Sequence, residues 1–327
     1  MIKRRKLLLA LGLSMLSAAV PCLAQQQAKV WRIGFLGQSS AAGSADRVEA
    51  FRAGLREFGY LEGKSLNIEF RWAEDRYEQL PALAAELARL KPDVIVTHGA
   101  AGVRAAKSAT TAIPVVMANV GDPVATGLVA SLAQPGGNVT GSTFFTLEIY
   151  GKQIELLKEI FPRARRFAFL MNPDNPSTAP TYSATEAAAK LLKVDLQQFA
   201  TRGPGEFESA FSAMLKTRVD AVVVTNDSLF TAHATTIAEL AAKRRLPVAS
   251  GRDLAEAGCL LGYGHNVLDS FRRAGYFVDR ILKGAKPADL PVERPTRFEL
   301  VINAKAAKQI GVTIPPKVLA RADRVIE

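Results

Sequence analysis

The residues best placed to do chemistry in this chain of 327 residues form short polar clusters, each directly behind an apolar run of strand length. Gln38 and Ser39 follow Trp31 to Leu36. His98, Gly99 and Ala100 follow Val94 to Thr97, and Asn119 and Asp122 follow Val115 to Ala118. Asn172 and Asn175 come after Arg166 to Leu170, Asn226 and Asp227 after Val219 to Thr225, and Arg252 and Asp253 after Leu246 to Ala249. Tyr263 ends the run that begins at Cys259. Amides, hydroxyls, one imidazole and a few carboxylates make a set of donors and acceptors suited to holding a small molecule. They lack the pattern of a reaction centre. A single histidine makes neither a metal site nor an oriented base. The chain has no G-x-S-x-G, no G-x-x-x-x-G-K-[ST], no H-E-x-x-H and no C-x-x-C. Gly37 to Gly43 lacks the G-x-G-x-x-G spacing that brings backbone to a pyrophosphate, so no cofactor is expected. The same Asn, Asp and Ser residues are also favoured helix caps and turn formers.

The elements that position these clusters alternate between strand length and helical period, the pattern of parallel βα units. Strands are predicted at Trp31 to Leu36, Leu66 to Trp72, Val94 to Thr97 and Val115 to Ala118, with helices near Asp46 to Phe58, Tyr77 to Leu90 and Ala101 to Ala109. The order then recurs. Arg32-Ile33-Gly34-Phe35-Leu36 is echoed by Arg166-Phe167-Ala168-Phe169-Leu170, Pro92 to Thr97 by Val219 to Thr225, and Ile113-Pro114-Val115-Val116 by Leu246-Pro247-Val248-Ala249. Three matches in one order, at an offset of one domain length, predict an α/β protein of two similar Rossmann-like, flavodoxin-like domains with parallel sheets. Gly136 to Gly141 reads as a crossing between them. A helix from Val267 to Leu282, with Val267, Phe271, Ala274, Val278 and Leu282 on one face, and a strand at Phe298 to Ile302 predict two further crossings, hence a multi-strand hinge. The expected division is residues 30–142 plus 265–296 for the N-terminal lobe and 143–264 plus 297–327 for the C-terminal lobe. Ligands of open parallel sheets bind beyond the carboxyl ends of the strands, and the polar clusters all lie there. Tyr60, Tyr150 and Tyr263 are candidates to stack on an aromatic ligand.

Residues 1–24 have the layout of a secretory signal peptide: basic Lys3 to Lys6, an apolar stretch from Leu7 to Val20, and a small-residue cleavage site ending at Ala24. The expected location is periplasmic, without stable membrane insertion. The net charge of +11 includes those four basic residues, leaving 11 − 4 = +7, scattered among acids with no basic stripe. Nucleic acid is therefore not an expected partner. Cys259 is alone in the remaining chain and reads as a buried structural thiol.

The segments RIGFLG at Arg32, REFGYLEGKSLNIEFRWAE at Arg56, PDVIVTHG at Pro92, GDPVATGLVASLAQPGGNVTG at Gly121 and LPVERPTRFELVINAKAAKQIGVTIPP at Leu290 closely resemble the ABC transporter substrate-binding proteins related to the tryptophan/tyrosine-binding type. That resemblance implies a type 1 periplasmic binding-protein fold, a ligand in the interdomain cleft, and delivery to a permease with an ATPase subunit. The implied ligand class is an aromatic amino acid or related carboxylate. It carries over to His98, Gly99, Ala100, Asp122, Asn226 and the Gly262-Tyr263-Gly264 segment. Two positions depart from the family pattern: Ala100 stands where a hydroxyl residue is common, which removes one hydrogen bond to a ligand carboxylate, and Cys259 stands where a second glycine is common. A monomeric, non-enzymatic solute-binding protein is expected. The alternatives are a periplasmic ligand sensor that docks on a membrane receptor and a secreted α/β enzyme.

Overall fold

The structure, a computed structural model, describes residues 29–144 and 146–327. The expected signal segment lies outside the described residues. The first sheet comprises β1 (Trp31–Gly37), β2 (Leu66–Trp72), β3 (Val94–Thr97), β4 (Val115–Gly121) and β5 (Val139–Phe144), all parallel, in the order β2-β1-β3-β4-β5. Its helices are α1 (Ala45–Glu57), α2 (Leu80–Arg89) and α3 (Gly99–Ala109). The chain then passes through α4 (Thr146–Ile160) to β6 (Arg166–Met171), α5 (Thr178–Leu191), β7 (Asp195–Ala200), α6 (Phe207–Lys216), β8 (Ala221–Val224), α7 (Ser228–Ala232), α8 (Ala234–Arg244), β9 (Val248–Ser250), α9 (Arg252–Ala257) and β10 (Leu261–Gly264). The five strands β7-β6-β8-β9-β10 repeat the order of the first sheet. The duplication read from the sequence is therefore a duplication of topology, and the fold is α/β with parallel sheets in two domains.

After β10 the chain returns to the first sheet as α10 (Val267–Leu282), then runs back to β11 (Glu299–Asn303), α11 (Ala304–Ile310), α12 (Pro316–Leu319) and β12 (Arg324–Ile326). β11 lies antiparallel to β10 and β12 parallel to β11 on the edge of the second sheet. α10 belongs to the first core because its apolar face carries Phe271, Ala274, Phe277 and Val278, packed with Ile33, Phe35, Phe51 and Val96. A helix with one wide apolar stripe gains most by covering a sheet face. Its closest neighbour is α1, where Gly54 and Gly275 oppose each other. A Cβ on Gly54 would overlap the Arg272 carbonyl, and one on Gly275 would overlap the Gly54 backbone.

The expected crossing at Gly136 to Gly141 is corrected. Val139 to Phe144 are all buried and form β5, a strand inside the first layer, and the crossing follows it. Strands covered on both faces do not alternate, so the turn formers before it dominated the sequence pattern. Gly141, at φ +133°, sits against the backbone of Met117 where the β4–β5 register shifts, a close approach that needs a residue without Cβ. Tyr77 to Gln79 form a separate 3₁₀ turn ahead of α2, whose first turn holds Pro81.

Replacing Gly54 by Ala should destabilise the protein by about 1–3 kcal/mol, the typical cost of overpacking. Urea unfolding checks this, and a variant as stable as the parent would show that the α1–α10 crossing relaxes freely.

Candidate functional site

Strand ends of both sheets meet in one cleft. From the first lobe come Gln38 after β1, Tyr77 after β2, His98 at the N-terminus of α3, and Asn119 on β4. From the second come Asn175 after β6, and Asn226, Asp227 and Ser228 after β8. Most of these line an inner chamber of about 50 Å³, together with Gly99, Ala100, Phe144, Tyr150 and Thr181. A second chamber of about 50 Å³ adjoins it, walled by His98, Asn119, Asn226, Asp227, Arg252, Asp253 and His265. The inner chamber shares Phe144, Ser177 and Thr181 with a larger cavity of about 630 Å³ that has Asp122, Glu148 and Arg294 on its walls.

The centre of this arrangement is the buried Asp227 carboxylate. Oδ1 accepts from the Tyr77 hydroxyl at 2.8 Å and from the Leu229 N–H at 3.0 Å, and Oδ2 accepts from Asn175 Nδ2 at 2.7 Å. Burial raises the Asp227 pKa, and the bonds from Asn175, Tyr77 and Leu229 oppose that rise. The Tyr77 hydroxyl is driven well above the ordinary phenol value by burial and by the Asp227 charge. Beside this group, Ser228 Oγ donates to Gln38 Oε1 at 2.8 Å and lies 3.3 Å from His98 Nδ1. Further out, Arg47 pairs with Asp253 at 3.0 Å and His233 with Asp75 at 3.0 Å, each bridging the two lobes. Glu74 and Asp75 have φ of +50° and +63°, so this loop holds a backbone shape that side chains disfavour while presenting Asp75 and Tyr77 to the other lobe. Gly99 makes room for Gln38: at φ +60°, a Cβ there would lie 2.5–2.9 Å from the Gln38 amide.

Of the residues predicted from sequence, Gln38, His98, Gly99, Ala100, Asn119, Asn175, Asn226 and Asp227 come together in the inner chamber. Arg252 and Asp253 join them at the adjoining one, and Asp122 lies in the outer cavity. There the Asp122 carboxylate caps its own loop, accepting from the Val124 and Ala125 N–H groups. Ser39 and Asn172 are buried; the Asn172 side chain bonds to the Asp227 carboxylate, and its Oδ1 accepts from the Asp174 N–H and shapes the loop that carries Asn175. Tyr263 is not brought in. It stacks on Phe298 at 6.0 Å against the core of the second lobe, because its place on β10 points to that face. Tyr150 is buried with its hydroxyl accepting from the Asn226 N–H at 2.7 Å, so it fixes the loop that carries Asn226. Tyr60 bonds Asp279 at 3.2 Å. Sequence reasoning passed over Tyr77 and His265, although the loop after β2 obeys the same strand-end rule that found the others.

Ser228 Oγ lies closer to Gln38 Oε1, at 2.8 Å, than to the His98 imidazole, at 3.3 Å. What the cleft offers is a closed shell of donors and acceptors drawn from two bodies. A family model described as ABC transporter substrate binding protein matches residues 39–326. The chain belongs to that family. A tyrosine-binding protein of Clostridioides difficile (strain R20291) is 26% identical over 266 residues, 81% of this chain and 76% of that protein. The structure of an ABC domain in complex with L-Trp from Streptococcus pneumonia is 28% identical with a TM-score of 0.84, covering 91% of this chain and 100% of that one. A conserved domain protein from Vibrio cholerae is 27% identical with a TM-score of 0.86 over the same shares. The substrate-binding family thus accounts for the two-lobed fold, and among the described residues no helix is long and apolar enough to cross a membrane.

Two buried histidines give the site a pH signature. Burial, with help from Arg47, lowers the His98 pKa from 6.5 to about 3, and burial lowers that of His265 to about 4. His265 Nε2 lies 2.9 Å from Asn119 Oδ1. Both imidazoles are neutral in the folded protein at pH 7. Above pH 6.5 neither alters stability with pH. Below it the unfolded chain binds the protons first, so stability falls with falling pH until the folded values are reached, costing about 2 kcal/mol per histidine at pH 5. Urea unfolding at pH 7 and pH 5 should show this loss, and His265→Gln should remove its share. Gly99→Ala should displace Gln38 and lower Tm by several degrees; an unchanged Tm would show that the αL turn has no need of glycine.

Proposed function

We propose that this protein is the solute-binding component of an ABC importer, which takes a small molecule in the cleft between its lobes and closes around it. The observation that carries the reading is that one chamber is walled jointly by Gln38 and His98 of the first lobe and by Asn175, Asn226 and Ser228 of the second. Such a site is complete only when the lobes are together, so ligand binding and closure are one equilibrium. Three passages of chain between the sheets, after Phe144, after Gly264 and before Glu299, act as the hinge. Lobes of residues 30–142 plus 265–296 and 143–264 plus 297–327 move about it, with β5 carried to Phe144 by the first.

The ligand class is an aromatic amino acid or a related carboxylate, supported by the tyrosine-binding relative and the L-Trp-bound neighbour. The small inner chamber takes the polar head, where Gly99 and Ala100 at the start of α3 line it. The larger cavity takes the body. The residues that hold the ligand are Gln38, His98, Gly99, Asn119, Asn175 and Asn226, with Asp227 ordering them. The protein works in the periplasm, delivers its ligand unchanged to a permease with an ATPase subunit, and acts as a monomer.

Purified protein lacking residues 1–24 should gain about 2.7 kcal/mol of stability from a true ligand at 100 times its Kd. A thermal-shift panel of L-tyrosine, L-tryptophan, aliphatic amino acids, nucleosides and sugars reads this out, and a ligand that is consumed rather than recovered would contradict the reading. Tyr77→Phe removes one bond to Asp227 and should weaken the bound ligand about tenfold by isothermal titration, in line with a lost hydrogen bond to a charged group. An unchanged Kd would remove Tyr77 from the closing contacts.

A further inference from the structure

His98 holds an unusual position among the cleft residues. It is 5% exposed, lines both small chambers, and its Nε2 has no hydrogen-bond partner among the described residues. The protons of its neighbours settle which nitrogen carries hydrogen. The Ser228 hydroxyl has one proton and gives it to Gln38 Oε1 at 2.8 Å. With the proton so placed, the contact of 3.3 Å between Ser228 Oγ and His98 Nδ1 fits a bond from Nδ1–H to the serine oxygen. Burial and the Arg47 charge keep this imidazole neutral, so it has a single proton, and Nε2 is a bare lone pair. A buried acceptor without a partner is costly, and native sites seldom leave one unless a ligand or water completes it.

The charges around it point the same way. Among the described residues lining the inner chamber, Asp227 carries the acidic side chain and no lysine or arginine is present. Arg47, at the adjoining chamber, is engaged by Asp253. A donor group on the ligand meets acceptors here.

We infer that His98 is a specificity-determining residue, whose Nε2 accepts a hydrogen bond from the ammonium or amine group of the ligand. This rests on the reading of the cleft as the ligand site and adds a requirement to it: the ligand carries that donor beside any carboxylate. Analogues that lack the donor leave Nε2 unpaired and are rejected.

Two substitutions separate this role from a merely structural one. His98→Asn keeps a side-chain amide where Nδ1 meets Ser228 and places nothing at Nε2. His98→Gln reaches the Nε2 position and gives up the Ser228 bond. Titration calorimetry is done with L-tyrosine and L-tryptophan and with their amine-free counterparts, 3-(4-hydroxyphenyl)propionate and indole-3-propionate. The parent should prefer the amino acids by at least about tenfold, His98→Asn should lose that preference, and His98→Gln should keep most of it. A His98→Asn variant that binds and discriminates like the parent, or a parent that prefers the amine-free acids, overturns the role of His98 while leaving the cleft reading intact. A parent that binds none of the four compounds overturns the aromatic-ligand reading and this assignment together.

Discussion

A carboxylate removed from water must find donors, and Asp227 finds them in both halves of the molecule: Tyr77 from the first lobe, Asn175 and the start of α7 from the second. The other features of the cleft follow from satisfying this one group. The tight loop after β2 carries two non-glycine residues at positive φ and so delivers Tyr77. Asn172 shapes the loop that aims Asn175. Asp227 also caps α7, which places Ser228 against Gln38 and His98. A buried charge with partners on one body would be structural. With partners on two, it makes the approach of those bodies part of its own stabilisation.

The duplicated sheet explains why such a centre arises here. Each copy directs its strand ends and helix N-termini to one edge, and the hinge segments turn the two edges toward each other. The return of α10 to the first core and of β11 to the second ties the two sheets by several passages of chain. The packing of α10 on α1 through Gly54 and Gly275 brings the two helix backbones too close for a Cβ on either glycine.

Much of this was legible in the sequence because it rests on periodicity. The βα alternation, the repeat and the polar strand ends all have local signatures, and eight of the fourteen predicted site residues meet in one chamber. The family resemblance is carried by contiguous motifs such as PDVIVTHG and PGGNVTG, which need no fold to be read. β5 was hidden because a strand buried on both faces shows no alternation. Tyr77 was hidden because a pattern of helical period ran through it, while the chain makes a separate 3₁₀ turn there. Tyr263 was misplaced because the face of a short central strand depends on register, which a four-residue run does not determine. The burial of Asp227 depends on contacts between residues 150 positions apart, and no local pattern encodes it.

The central claim is that ligand and Asp227 together hold the lobes in register. It is tested most directly by small-angle X-ray scattering of the protein lacking residues 1–24, with and without its ligand, in the parent and in Asp227→Ala. The account predicts a smaller radius of gyration on ligand addition in the parent and little or no change in the variant. Equal radii in all four samples, with ligand binding intact, would contradict it and make the cleft a rigid pocket.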